Sequence, residues 1–143
     1  DACCEAAKPY VGRWALTLPG GGAGWLGVEP QAGGALKGSI LWGGGSVMPA
    51  AETKVENGAL VVVRKHNRKK DGKDVTFIET LTAKRDGDTL ALTTRTVNDA
   101  GKEVGKADFS GKKIPDLPPR PDLSKLAFGT PVRLLNGNDL AGW

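Results

Sequence analysis

Residues 36–47 read Leu-Lys-Gly-Ser-Ile-Leu-Trp-Gly-Gly-Gly-Ser-Val, and Leu36, Ile40 and Trp42 fall on one side of a period-two pattern. That spacing suits a strand with one buried face and fits no helical stripe. Gly43, Gly44 and Gly45 accept positive φ, so the strand stops there and turns sharply. One such unit cannot hide its apolar face alone. Similar units recur on both sides, which predicts an all-β domain of short strands, and 21 glycines and 9 prolines among 143 residues supply its turns.

Taken in order, a first strand at 12–18 alternates Trp14, Leu16 and Leu18 and breaks over the glycines of 19–24. A second runs over 24–30, turns through 31–34 and leads into the strand described above. A fourth extended run, 46–56, contains Pro49, which has no N–H to give a ladder and marks an edge or a bulge. Asn57-Gly58 suits a type I′ hairpin turn and places Val55 opposite Leu60 and Thr53 opposite Val62. The fifth strand is 59–66, the basic stretch to Lys73 reads as a loop, and the sixth strand is 74–85. Asp86-Gly87, taken as a second two-residue loop, pairs Ala83 with Leu90, Leu81 with Leu92, Glu79 with Thr94 and Phe77 with Thr96. The seventh strand ends near Val97, 98–101 turns, and 102–110 is the eighth.

Eight short strands in this order predict an eight-stranded antiparallel up-and-down barrel over 12–113, preceded by a tail at 1–11; a two-sheet sandwich is the alternative. Gly12-Arg13-Trp14 resembles the Gly-x-Trp that opens the first strand of lipocalin-like barrels. The resemblance implies that Trp14 plugs one end.

Past Gly111 the composition changes. Residues 114–123 hold Pro115, Pro118, Pro119 and Pro121, a spacing that favours an extended linker. Residues 124–143 begin another unit, with a short strand at 131–135 and a turn at Asn136-Gly137.

The run 128–143, Phe-Gly-Thr-Pro-Val-Arg-Leu-Leu-Asn-Gly-Asn-Asp-Leu-Ala-Gly-Trp, resembles the opening of the 3-keto-disaccharide hydrolase domain family. That opening has a Pro, a short apolar strand, Leu-Phe-Asn-Gly, a polar residue, Asp-Leu, a small residue and Gly-Trp; Leu135 stands where the family has Phe. Residues 1–113 also resemble the domain that precedes it in some bacterial members, through Gly-Gly-Gly-Ala-Gly-Trp-Leu-Gly-Val at 20–28 and Leu-Trp-Gly-Gly-Gly-Ser-Val at 41–47.

The resemblance implies a concanavalin-like glycoside hydrolase acting on sugars oxidised at the 3-position, of which 124–143 is a truncated start. It carries no catalytic residue onto this chain. On that basis 12–113 is expected to be a non-catalytic accessory domain that binds carbohydrate or docks on the hydrolase domain. A lipocalin-like small-molecule binder and a structural spacer are the alternatives.

Charge is local. Residues 64–73 hold six basic side chains against Asp71, a net of +5, and the rest of the chain sums to −1. The stretch contains no Phe, Tyr or Trp for base stacking, so a solvated hairpin tip is expected rather than a nucleic-acid site.

Cys3 and Cys4 are adjacent and are the sole cysteines, which excludes a disulfide framework. The opening Asp-Ala-Cys-Cys-Glu-Ala-Ala fits a product trimmed after a signal peptide and predicts a secreted, periplasmic or cell-envelope protein, with Cys3 or Cys4 open to lipidation. No run reaches the roughly 18 apolar residues of a transmembrane helix.

His66 is the single histidine, so no metal site and no cofactor are expected. Gly22-Ala23-Gly24-Trp25-Leu26-Gly27 matches G-x-G-x-x-G in form, yet Pro30, Gly33 and Gly34 forbid the helix that motif requires. Ser46 lacks the following glycine of a nucleophile elbow.

Glu79 shares a strand face with Val75, Phe77 and Leu81, which points it inward, and a buried carboxylate needs a partner. The hairpin register offers Thr94 opposite it and Arg64 diagonally. Together they form either an internal ion pair that fixes register, the expectation, or the polar end of a ligand cavity. Trp25 lies on the opposite parity from Leu26 and Val28 and either stacks on a sugar ring or covers the barrel end. The candidate ligand-binding residues are therefore Trp25, Arg64, Glu79 and Thr94, while Trp14 and Trp42 belong to the core.

Overall fold

The computed structural model describes residues 2–135 and 137–140. Nine strands follow in order: β1 (Gly12–Thr17), β2 (Ala23–Pro30), β3 (Leu36–Trp42), β4 (Met48–Pro49), β5 (Glu52–Glu56), β6 (Ala59–Lys70), β7 (Lys73–Asp86), β8 (Thr89–Val97) and β9 (Glu103–Ile114). They form one curled antiparallel sheet in the order β4-β3-β2-β1-β9-β8-β7-β6-β5, an all-β, barrel-like fold. First and last strands pair, with Trp14 opposite Lys113 and Leu16 opposite Gly111.

The two outermost strands are neighbours in sequence, which is how the sheet's rims meet. Ala50 N–H donates to Gly38 O at 2.9 Å on β3, and Ala51 N–H donates to Val63 O at 2.8 Å on β6. The expected fourth strand is thus split, giving nine strands for eight. Pro49 sits where a strand N–H would point away from β3, so its missing donor costs that pairing nothing, and the chain crosses to the other rim between Ala50 and Ala51. At this seam a Cβ on Gly38 would collide with Thr53 Oγ1, so glycine is what lets β5 approach β3.

Alternation fills the inside. Trp14, Leu16, Leu26, Val28, Ile40, Leu60, Val62, Leu81, Ala83, Leu90 and Leu92 form one buried cluster. Each sits on the apolar parity of its strand, as a half-buried sheet demands.

The Asn57-Gly58 hairpin has the expected register, Val55 opposite Leu60 and Thr53 opposite Val62, and both turn residues have positive φ. The second hairpin differs from expectation. Asp86 pairs with Thr89, so the loop residues are Gly87-Asp88, and Ala83 lies opposite Leu92, Leu81 opposite Thr94 and Glu79 opposite Thr96. Of the two loop residues only Gly87 has positive φ, as when glycine leads a type II′ turn. The slip is two residues, so every side chain keeps its face.

The basic stretch is not a loop either. Asp71 and Gly72 take φ of 52° and 76°, and β6 and β7 pair all the way out to Lys70 opposite Lys73.

The expected N-terminal tail is a cap instead. A short helix, α1 (Ala2–Ala7), runs into a 3-10 turn at Lys8–Tyr10, and Ala7 and Tyr10 are buried. Tyr10 O–H donates to Gly58 O at 2.7 Å, and Trp14 Nε1–H donates to Tyr10 O at 2.9 Å. These bonds satisfy the polar atoms of two large buried rings and close this end of the barrel.

Beyond Ile114 the described residues are exposed, and no strand forms at 131–135. A single 3-10 turn, Leu123–Lys125, is capped by Asp122 Oδ1, which accepts from Ser124 N–H at 3.0 Å. Asn136 of the expected turn, and Trp143, lie outside the described residues.

Candidate functional site

Opposite the Tyr10 cap, β6 and β7 project past their neighbours, and the inward face of the barrel changes character. Going outward from Leu60 and Val62, the inward positions on β6 become Arg64, His66 and Arg68; on β7, outward from Leu81, they become Glu79, Phe77 and Val75. The ladder sets Arg64 against Glu79, His66 against Phe77 and Arg68 against Val75.

Three of the four residues singled out in the sequence meet here. Arg64 donates to Glu79 Oε2 through Nε at 2.8 Å and through Nη2 at 2.5 Å. Thr94 Oγ1–H donates to Glu79 Oε1 at 2.7 Å. Their placement differs from expectation, since Arg64 is the direct cross-strand partner while Thr94, one ladder step from Thr96, is the diagonal one. Both carboxylate oxygens of Glu79 are occupied, and Glu79 and Thr94 are 5% and 6% exposed. This is the internal ion pair that was expected, and a paired and hydrogen-bonded charge is the form in which burial is tolerated.

Trp25 is elsewhere. It faces outward between Ala15 and Leu41, and its ring lies across Gly27, where a Cβ would collide with it. One face of the indole is pressed on the sheet, so Trp25 covers backbone and is separate from the Arg64 group.

Around Arg64 stands a set of rings that the sequence had not marked as a site. The Arg64 guanidinium lies 4.8 Å from the Trp42 ring centroid, and Phe109 meets Trp42 edge-on at 5.4 Å and 79°. His66 stacks on Phe77 at 5.8 Å and 21°, and the Arg68 guanidinium lies 5.7 Å from the same ring. Each cation–ring contact contributes about 0.5–2 kcal/mol, depending on how dry it is. Trp42, placed in the core by its parity, is only partly buried and joins this set. Burial lowers the His66 pKa below the ordinary imidazole value; Glu79 opposes the shift, and Arg64 and Arg68 add to it. His66 is therefore a neutral ring near pH 7.

The signal that would have revealed this set is Asp71-Gly72. Read as a type I′ hairpin, it carries strand alternation out to Arg68 and Val75, and His66 and Phe77 then fall inward beside Arg64.

Next to the rings, a cleft of about 360 Å³ is lined by Met48, Pro49 and residues 64–68. It exists because β5 pairs β6 only up to Val63. Val63 O accepts from Ala51, so by antiparallel alternation the backbone groups of Lys65 and Asn67 face the same side with no strand opposite them. Lys65, Lys69 and Lys70 stud this bare edge, a placement that discourages pairing with another strand. What remains is a shallow groove with backbone donors and acceptors, guanidinium groups and aromatic faces.

Among the described residues no three His, Cys, Asp or Glu side chains gather to hold a metal, and no helix is long and apolar enough to cross a bilayer. Comparison with protein families, with curated proteins and with solved structures finds no match.

Proposed function

We propose that this chain is the non-catalytic accessory domain of a secreted sugar-processing protein, and that it holds carbohydrate in the groove at the open end of the barrel. The observation that carries the reading is the juxtaposition of partly buried aromatic faces, His66–Phe77 and Trp42–Phe109, with the unpaired edge of β6 and the Arg64 and Arg68 guanidinium groups. A pyranose offers C–H faces that stack on rings and hydroxyls that need directional partners, and the groove supplies both. The resemblance of 128–143 to a sugar hydrolase supplies the class of ligand and the secreted setting.

Docking on a following hydrolase domain is the second reading. It is favoured by Leu117, Leu123, Leu126, Phe128 and Val132, large apolar side chains exposed beyond the sheet, with Phe128 at 89% exposure. Such a set is what a segment presents when its partner surface lies elsewhere.

Affinity electrophoresis against a panel of polysaccharides tests the first reading. Retention of the wild type, lost in Phe77→Ala and kept in Trp25→Ala, is the expected result. Retention lost only in Trp25→Ala moves the site to the outer face of the sheet, and no retention on any polymer leaves docking.

A further inference from the structure

The capped end of the barrel carries a second cleft that the carbohydrate reading does not use. It has a volume of about 470 Å³, lies between α1 with its following turn and the 30–36 segment, and is walled by Ala7, Val11, Pro30, Ala35, Leu36 and Lys113. A smaller cavity of about 170 Å³ shares Ala7, Ala35 and Leu36 with it and reaches on to Val55. The walls are mainly apolar and the volume suits a small molecule.

Lys113 gives this cleft its chemistry. It follows Phe109 and Gly111 on the inward parity of β9 and lies opposite Trp14. Its Nζ sits 4.8 Å from the Trp14 ring centroid and donates to Val11 O. Gly12, at φ 119°, is the residue that makes room, because a Cβ there would collide with Nζ. An ammonium has three donors, and among the described residues one acceptor, Val11 O, engages it. Among the described residues no carboxylate stands within ion-pair distance of it. Asp116 borders the same cleft from the exposed segment after β9 without reaching Lys113. Lys8, on the opposite rim, is paired with Glu5.

A part-buried cation lacking a counter-ion, set in an apolar wall, is complementary to an anion that brings an apolar body with it. The geometry points to a binding site for a small carboxylate amphiphile, its head group on Lys113 and its apolar body along Val11, Pro30, Ala35 and Leu36. The site lies outside the barrel and is independent of the groove at Arg64.

Isothermal titration of the full chain with octanoate, octanol and octylamine tests it. Octanoate is expected to bind, with the alcohol about tenfold weaker and the amine undetected. Lys113→Met weakens octanoate by about tenfold, whereas Lys113→Arg keeps it within about threefold. Asp116→Asn tightens it by about two- to threefold, since a competing anion is removed from the rim. Because Lys113 also braces Trp14, Ala35→Trp provides a variant that fills the cleft and leaves the lysine in place; it abolishes octanoate binding. Failure of octanoate to bind, octanol binding as tightly as octanoate, or unchanged affinity in Ala35→Trp overturns the proposal.

Discussion

The two ends of this barrel are built from the same strands and do different things. At the capped end Tyr10, Trp14, Leu60 and Leu90 are buried, and the polar atoms of Tyr10 and Trp14 are bonded to backbone carbonyls. At the open end the same inward parity carries Arg64, His66, Arg68 and Glu79, with rings that stay partly exposed. The capped end gains its free energy from removing apolar surface from water, which scales with the area buried. The open end rests on charge pairing and ring contacts, whose net worth is smaller because desolvation offsets the attraction. The contrast teaches that one sheet can be held by apolar burial at one end and by paired charges and ring contacts at the other.

Truncating Trp14 to Ala should produce the largest effect, about 3–5 kcal/mol in urea denaturation, because the ring is fully buried and its removal leaves a large cavity in the core. If Glu79→Ala costs as much, the energetic contrast between the ends disappears. The expectation for Glu79→Ala is about 1–3 kcal/mol, since the Arg64 side chain, at 19% exposure, can swing its charge toward water. The double variant Arg64→Met with Glu79→Leu should recover most of that loss, because no charge is then left buried.

At the seam joining the two rims, Gly38→Ala should cost about 1–3 kcal/mol through the collision with Thr53, and Thr53→Ala in the same chain should relieve it. Phe77→Ala should change stability by about 1 kcal/mol or less while removing ligand retention, which would separate recognition from folding.

The smallest effect is a pH slope. Because burial holds His66 below the ordinary value, the unfolded chain takes up the proton first as the pH falls. Stability should decline below about pH 6.5, and His66→Gln should flatten that part of the profile.

Much of this was legible beforehand, for reasons that differ from residue to residue. Val55 against Leu60 followed from Asn57-Gly58, since a two-residue type I′ loop leaves a single register. Leu81 and Leu92 faced inward as expected even though their hairpin register was off by two, because parity survives an even slip. Glu79 was marked as a buried carboxylate in need of partners, and Arg64 and Thr94 are those partners. The set of rings beside Arg64 was missed because the lysine-rich run obscured Asp71-Gly72, and without that turn His66 and Phe77 had no common face. The N-terminal cap was missed because Tyr10 is a lone ring in a short stretch of mostly small residues, with no periodicity to announce that it is buried.

Local pattern alone determined strand, face and the Asn57-Gly58 turn, since period-two alternation and positive-φ glycines act over a few residues and need no distant neighbour. Only the tertiary structure decided that residues 48–56 would bridge two rims, that Trp25 would lie on Gly27 instead of joining Arg64, and that Lys113 would come to rest on Trp14. The first and last of these are contacts between different strands, and all three are set by the curvature and closure of the sheet, which no single strand encodes.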